Sequence, residues 1–450
     1  MKRKAPFGVL IVMAVFSGCG ALGMFGGNTI TPLEERYKER ASLNPRGHCT
    51  LLMLDDIWVA AKTMFYRPIT NKQLFQGALM GLGKAVERSI NLPDYDKDEK
   101  YNAARFWPIM ADKRELSDKS LSELCYASVY GLMQALGDPF SYFVDAKTAG
   151  SVVDRIAGNG YSGMGFWLWI FTKPEKRVFV EHVLAGSPAE AAGLKQFDEV
   201  VAIGGAPVDK MAFQDMLSRL RGKEGSFVDV TVKRRGWERP RALKVGRAFI
   251  LGKNSFCKMM GDVVYCRLFS FSRDVFKELE KNFKGLSKGK SRKLIIDLRN
   301  NGGGMQDSAF EFLSKGWFTG SFVVVTMVKN ESVAPVIIGG VKTPFFDGYK
   351  TVVLTNNESA SASEIVVGAL KDYGKAVIVG ERTFGKGYVQ GMKFSYGAVV
   401  FITHTQYLTP NGEIISGKGL APDIRVELGI KDFEMARDPQ LEAAGRYLNR

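Results

Sequence analysis

Residues 351–390, TVVLTNNESASASEIVVGALKDYGKAVIVGERTFGKGYVQ, restrict the fold more than any other stretch of the chain. A β-branched run at 351–354 is followed by a segment in which Ala362, Ile365, Val366, Ala369 and Leu370 recur at helical spacing, and an apolar run resumes at 376–379. This order predicts strand, helix, strand: a βαβ unit. Such a unit places its strand-to-helix turn, here SASASEI, at the carboxyl edge of a sheet, where ligands and reacting groups collect.

The turn contains Ser359, Ser361 and Ser363. On the residues alone, two uses for it stay open. A serine ahead of a helix commonly caps the helix amides. At a sheet edge it can instead be a nucleophile, provided that another group takes its proton. The three histidines, His48, His182 and His404, stand in no recognisable relation to the turn. Lys386 is the obvious substitute, and its neighbours Gly385 and Gly387 allow close approach of other chain segments. A lysine of ordinary pKa, near ~10.4, must be buried to act as a base near neutrality, which shifts it by about 3 to 5 units at most. GERTFGKG, from Gly380, also nearly spells the phosphate loop GxxxxGK followed by Ser or Thr. Gly387 lacks that hydroxyl, and YVQGMKFSYGAVVFI after Gly387 reads as strand, not as the helix whose N-terminus holds a phosphate.

SASASEI followed by VGERTFGKGYVQ resembles the C-terminal processing peptidases, or tail-specific proteases. The resemblance implies a crotonase/Clp-like α/β core and a serine endopeptidase that needs no metal or other cofactor. It makes Ser361 the nucleophile, Lys386 the base and Gln390 the group that orients the base. Four residues of extended strand span roughly 13 Å, so a contact between Lys386 and Gln390 needs a bend, which Gly385 and Gly387 permit. KLIIDLRNNGGGM reads as a buried strand and a glycine turn into a helix carrying Phe310 and Leu313. In the resembled family this turn supplies one oxyanion amide, here Gly303, and Ala362 supplies the other. The resemblance further implies protein substrates with apolar C-termini and an adaptor protein as partner.

From residue 160 the chain turns to short strands and glycine turns. YSGMGFWLWIF places Gly163, Met164, Gly165 and Phe166 in a loop similar to the carboxylate-binding loop of PDZ domains. Successive amides in such a loop form a nest for a terminal carboxylate, and the strand after it offers an edge for β-augmentation. GSPAEAAGL then predicts a short helix with Ser187 as N-cap, Pro188 at its first position, Glu190 completing a capping box and Gly193 as C-cap. Phe213, Met216, Leu217 and Leu220 give a second helix its apolar face.

With 450 residues, 46% of them hydrophobic, the chain is long enough for two or three cored domains. MKRKAPFGVLIVMAVFSGCG has three early cations and an apolar run too short to cross a bilayer, so residues 1–18 read as a bacterial signal peptide. FSG ahead of Cys19 resembles a lipoprotein cleavage box, with Phe16 in the usual leucine position. A lipidated Cys19, a lipid anchor in a bacterial membrane and a periplasmic location are therefore expected. The net charge of +15 and the run KRRGWERPRALKVGR invite a nucleic-acid reading. No nucleic-acid module accompanies them, and an exported chain meets little nucleic acid. A solvated face, or attraction to anionic envelope components, is expected instead.

FCKMMGDVVYCR reads as a hairpin. If Gly261 and Asp262 form a two-residue turn, Cys257 and Cys266 lie directly opposite, with Cα atoms near ~4.5 Å, at the close end of what a disulfide accepts. A disulfide is predicted there. The expected organisation is multidomain α+β: a tether at 19–48, a helical N-terminal domain at 49–156, a PDZ-like β domain at 157–248, the protease core at 249–430 and a helical segment at 431–450. The charged stretch NLPDYDKDEKYNAARFWP is expected to be a loop-like insertion. A rival from another class is a catalytically inactive scaffold whose PDZ-like domain binds tails in the cell envelope.

Overall fold

The βαβ unit of residues 351–390 forms the middle of a six-stranded sheet. Lys350–Thr355, the helix Ala362–Asp372 and Val377–Gly380 follow in turn, and the two strands pair in parallel. The sheet order is Ser255–Met260, Val263–Leu268, Lys293–Asp297, Lys350–Thr355, Val377–Gly380 and Ile424–Arg425, with only the first pair antiparallel. A parallel sheet must be covered on both faces. On one face Phe276, Phe312 and Val366, from the helices Val275–Lys284, Gln306–Trp317 and Ala362–Asp372, pack in one core with Val264 and Ile296. On the other, Ala444 and Leu448 of the helix Pro439–Leu448 meet Tyr265, Ile295 and Leu354.

The computed structural model describes residues 33–157, 161–250, 254–284, 286, 291–329 and 332–450. The expected signal peptide and Cys19 lie outside the described residues.

A second sheet runs in the order Tyr142–Val144, Ala398–Leu408, Ser321–Lys329, Ser332–Gly339, and Tyr388–Ser395 also pairs with Ala398–Leu408. It also takes in residues from the stretch expected to form the helical N-terminal domain. The helices Leu51–Met64, Asn71–Ala85, Ala103–Asp112 and Leu121–Gln134 share one apolar cluster with Ala398, Val400 and Ile402, and Tyr142–Val144 is itself a strand of this sheet. These four helices therefore pack on the sheet that carries Ala398–Leu408. The partner of the helices' apolar face is a period-two stripe about 300 residues on, which no local pattern reveals.

The charged stretch before residue 109 also differs from expectation. Tyr101 and Phe106 are buried in that cluster, and the stretch runs into the helix Ala103–Asp112. The Asp98 carboxylate accepts the amides of Asn71 and Lys72, in the first turn of the preceding helix.

The β domain has its own core of Met164, Val178, Val180, Ile203, Met216 and Val230. Its sheet runs Phe166–Phe171, Arg177–Val183, Glu199–Ile203, Phe227–Lys233, Arg241–Gly246. Tyr161–Gly163 pairs with Ala248–Ile250 and closes the two ends of the domain together. Trp167 stacks on Phe269 of the protease core at 4.1 Å between ring centres, and Trp169 and Phe179 meet Phe433 and Leu428. The short helix Pro188–Ala191 is capped by Ser187 as expected, but Glu190 reaches the Gly186 amide instead of that of Ser187.

Candidate active site

The backbone at Ser361 is in a strained region, φ 56° and ψ −116°, where the chain leaves the strand edge and enters the helix Ala362–Asp372. Such a conformation costs about 1–3 kcal/mol in a residue with a side chain. The hydroxyls of the neighbouring serines are engaged in holding the turn. Ser359 Oγ donates to the Leu298 carbonyl at 2.8 Å and accepts the Asn356 amide, and Ser363 Oγ donates to the Asn301 carbonyl at 2.8 Å. Ser361 Oγ is buried and makes no hydrogen bond among the described residues. Ser361 stands at the N-cap position without capping. Its own amide is instead received by the Glu364 carboxylate at 2.9 Å.

Lys386 lies in the loop between Val377–Gly380 and Tyr388–Ser395 and is 1% exposed. Its Nζ donates to Gln390 Oε1 at 2.6 Å and sits 5.1 Å from the centre of the Phe140 ring, while Gln390 Nε2 donates to the Phe140 carbonyl. Burial pushes the lysine pKa down to about 8, against the negative charges of Asp138 and Glu364, which raise it. The bend that this contact needs comes from two places. Gly385 has φ +95°, and the pairing of Tyr388–Ser395 with Ala398–Leu408 slips register between Val389 and Gln390. None of the histidines takes part. Burial lowers His182 to about 4 among Trp167, Phe256 and Phe269, and His404 is paired with Thr405.

Two side chains that sequence reasoning did not single out bridge the serine and the lysine. Glu364 Oε2 accepts the amides of both Ser361 and Lys386, at 2.9 and 2.7 Å, and its Oε1 accepts the Gly385 amide and the Thr383 hydroxyl. The Tyr407 hydroxyl lies 2.9 Å from the Ser361 carbonyl and 2.7 Å from the Lys386 carbonyl. Phe140, in LGDPFSYF, is a third residue not foreseen at the site.

The glycine turn after Lys293–Asp297 also reaches the serine. Gly303, at φ +102°, packs so closely that a Cβ there would lie 2.9 Å from Ala362 N and 2.9 Å from Ser361 Cβ. Its amide, however, donates to Asn301 Oδ1 at 2.9 Å. Asn301 is fully buried and receives the Ala360 amide on its own carbonyl. The expected pair Gly303 and Ala362 is thus brought together, with the Gly303 amide already engaged. In the helix that follows it is Phe312 and Leu313 that are fully buried, and Phe310 only partly.

Comparison with known proteins gives this arrangement its family. The profile of peptidase family S41 matches residues 262–426, and the PDZ domain profile matches residues 155–233. A carboxyl-terminal-processing protease of Picosynechococcus is 34% identical over 332 residues, covering 72% of this chain and 78% of that protein. The chain belongs to peptidase family S41. A CtpA-like serine protease of Staphylococcus aureus is 32% identical over 320 residues, 70% of this chain; the match spans 62% of the length of that relative. Among solved structures, the photosystem II D1 C-terminal processing protease is 25% identical with a TM-score of 0.50, covering 85% of this chain and 98% of that one.

In this S41 chain Gly163, Met164, Gly165 and Phe166 belong to the PDZ domain, with Gly163, Met164 and Gly165 buried and Phe166 half-buried. The Met164 and Gly165 carbonyls accept the amides of Ala189 and Leu184, and the Met164 side chain is core. Phe166–Phe171 ends its sheet, pairing among the described residues on one side only, with Arg177–Val183. The strand Tyr388–Ser395 that follows Lys386 occupies the place where a phosphate loop would start its helix. Cys257 and Cys266 face each other across their hairpin and are joined, with Cα atoms 4.2 Å apart. A second disulfide, not foreseen, joins Cys49 to Cys125 over a separation of 76 residues.

Proposed function

We propose that this chain is an exported serine endopeptidase that captures substrate C-termini through its PDZ domain and cleaves peptide bonds with a Ser361 and Lys386 dyad. The observation that carries this reading is the contrast between the three serines: Ser359 and Ser363 are tied into the turn, whereas the Ser361 hydroxyl has no hydrogen bond among the described residues and its backbone shares Glu364 and Tyr407 with that of Lys386, a buried lysine of lowered pKa. Ser361 Oγ attacks the scissile carbonyl, and neutral Lys386 accepts the hydroxyl proton and returns it to the leaving amine. Water then releases the acyl group by the reverse transfers. Gln390 orients the lysine. The Ala362 amide and, once freed from Asn301, the Gly303 amide hold the oxyanion; losing one such donor typically costs ~3 kcal/mol.

Substrates are proteins with apolar, accessible C-termini. The terminal carboxylate enters the loop of residues 163–166, and the tail extends the sheet at Phe166–Phe171. An adaptor protein as partner, lipidation of Cys19, membrane anchoring and a periplasmic location belong to the same reading and rest on the sequence features described above.

The engaged Gly303 amide favours one rival, an inactive tail-binding scaffold. Cleavage of an unfolded, apolar-tailed protein by wild type, Ser361→Ala and Lys386→Ala decides between them. The peptidase reading expects activity in the wild type alone; equal rates in all three would overturn it.

A further inference from the structure

We propose that Glu364 and Tyr407 are positioning residues that fix the backbone of Lys386 against that of Ser361, one through its carboxylate and the other through its hydroxyl. The inference rests on reading Ser361 and Lys386 as nucleophile and base.

The serine begins a helix and the lysine sits in a loop beyond the next strand, so ordinary secondary structure does not set their spacing. Two buried side chains do. Glu364 Oε2 receives both amides, and the Tyr407 hydroxyl lies within hydrogen-bond distance of both carbonyls. The carboxylate thereby holds both residues at their N–H groups, and the single Tyr407 proton lies between their two carbonyls and can serve either. A capping box at this helix needs only the Ser361 amide. The three remaining contacts of Glu364 all go to the lysine loop, to Thr383, Gly385 and Lys386.

The chemistry of those contacts selects the charged form of Glu364. Three partners are backbone amides. The fourth, Thr383 Oγ1, accepts the Leu420 amide at 2.7 Å and donates to the carboxylate. A protonated carboxyl would have only the second lone pair of Thr383 Oγ1 to donate to and would face three amide donors, although burial pushes its pKa up. A buried carboxylate is costly unless all its oxygens are satisfied, and these are. The charged and titratable groups facing Lys386 are Asp138 before Tyr142–Val144, Glu364 on the helix and Tyr407 on Ala398–Leu408. Burial holds the Tyr407 phenol well above its ordinary pKa, so it is neutral. Removing the Glu364 charge therefore lowers the Lys386 pKa, and removing the Tyr407 hydroxyl leaves it in place.

The test compares full-length wild type, Glu364→Gln and Tyr407→Phe. It measures kcat/KM against pH on an unfolded apolar-tailed protein, and the pH titration of the Lys386 Nζ resonance in ¹⁵N-lysine-labelled protein, assigned by its loss in Lys386→Arg. Misplacement by about 1 Å costs about 100-fold in rate. Glu364→Gln is expected to lose about that much kcat/KM, with the alkaline rise and the Nζ midpoint both moved to lower pH. Tyr407→Phe is expected to lower kcat/KM with both midpoints unmoved. A Glu364→Gln protein with unmoved midpoints, or wild-type kcat/KM in both variants, overturns the proposal. Where Glu364→Gln does not fold, wild-type kcat/KM in Tyr407→Phe alone overturns it. A wild type that cleaves no faster than Ser361→Ala defeats the peptidase reading instead, and the Nζ midpoint still judges the Glu364 contact without turnover.

Discussion

Asn301 holds the amide of Gly303 on its side-chain carbonyl at 2.9 Å, while Gly303 itself packs against Ser361 and Ala362. The amide is thus satisfied by the protein in the absence of substrate. A substrate oxyanion must compete with a neutral acceptor, and a charge-assisted bond is the stronger of the two. Gly303→Ala would place a Cβ 2.7 Å from the Ala360 carbonyl at a φ of +102°. Its expected cost is about 1–3 kcal/mol of stability from the backbone alone, with loss of cleavage on the order of 10² to 10³. Thermal melting and turnover measured together check this.

The acid limb of kcat/KM should report Lys386. Its pKa is lowered to about 8, so the neutral form needed of a base grows as pH rises through that value. Activity is expected to climb between neutrality and pH 9 with a midpoint near 8. A profile flat across this range would contradict the assignment.

The three serines should separate stability from activity. Ser359→Ala and Ser363→Ala each remove buried hydrogen bonds and should each lower stability by about 1 kcal/mol or more. Ser361→Ala removes a hydroxyl with no bond among the described residues, so its melting temperature should match or exceed that of wild type while cleavage falls on the order of 10⁴ or more. Denaturant titration of the three variants alongside a turnover assay is the measurement.

Intact mass after alkylation without reductant should show Cys49, Cys125, Cys257 and Cys266 unmodified. Replacing the pair that spans 76 residues should destabilise by about 2–4 kcal/mol, more than replacing the pair that spans 9, because the longer loop gains more unfolded-state entropy.

Tail capture should depend on the free carboxylate. Amidating the substrate C-terminus is expected to raise the dissociation constant for the Ser361→Ala protein, and Gly165→Ala, whose Cβ would fall 2.4 Å from Ser187 Cβ, should do the same. Equal binding by titration calorimetry would remove the carboxylate role of residues 163–166.

Much of this protein follows from its sequence read locally. Apolar periodicity placed Lys350–Thr355, Ala362–Asp372 and Val377–Gly380, and the turn residues placed the hairpin register that sets Cys257 opposite Cys266, because apolar spacing and turn chemistry act over a few positions. Motif resemblance identified the SASAS turn and Lys386, whose residue types are bound by their chemistry. What tertiary structure decided is of longer range. It determined that Ser359 and Ser363 have engaged hydroxyls while Ser361 has no such bond among the described residues, that Phe140 covers the lysine, that Glu364 and Tyr407 bridge the two backbones, and that the N-terminal helices pack against Ala398, Val400 and Ile402. These facts depend on which buried donors meet which acceptors once the chain is packed. Such pairing is fixed by the requirement that buried polar groups be satisfied across the whole fold, and it leaves no periodic trace in the sequence.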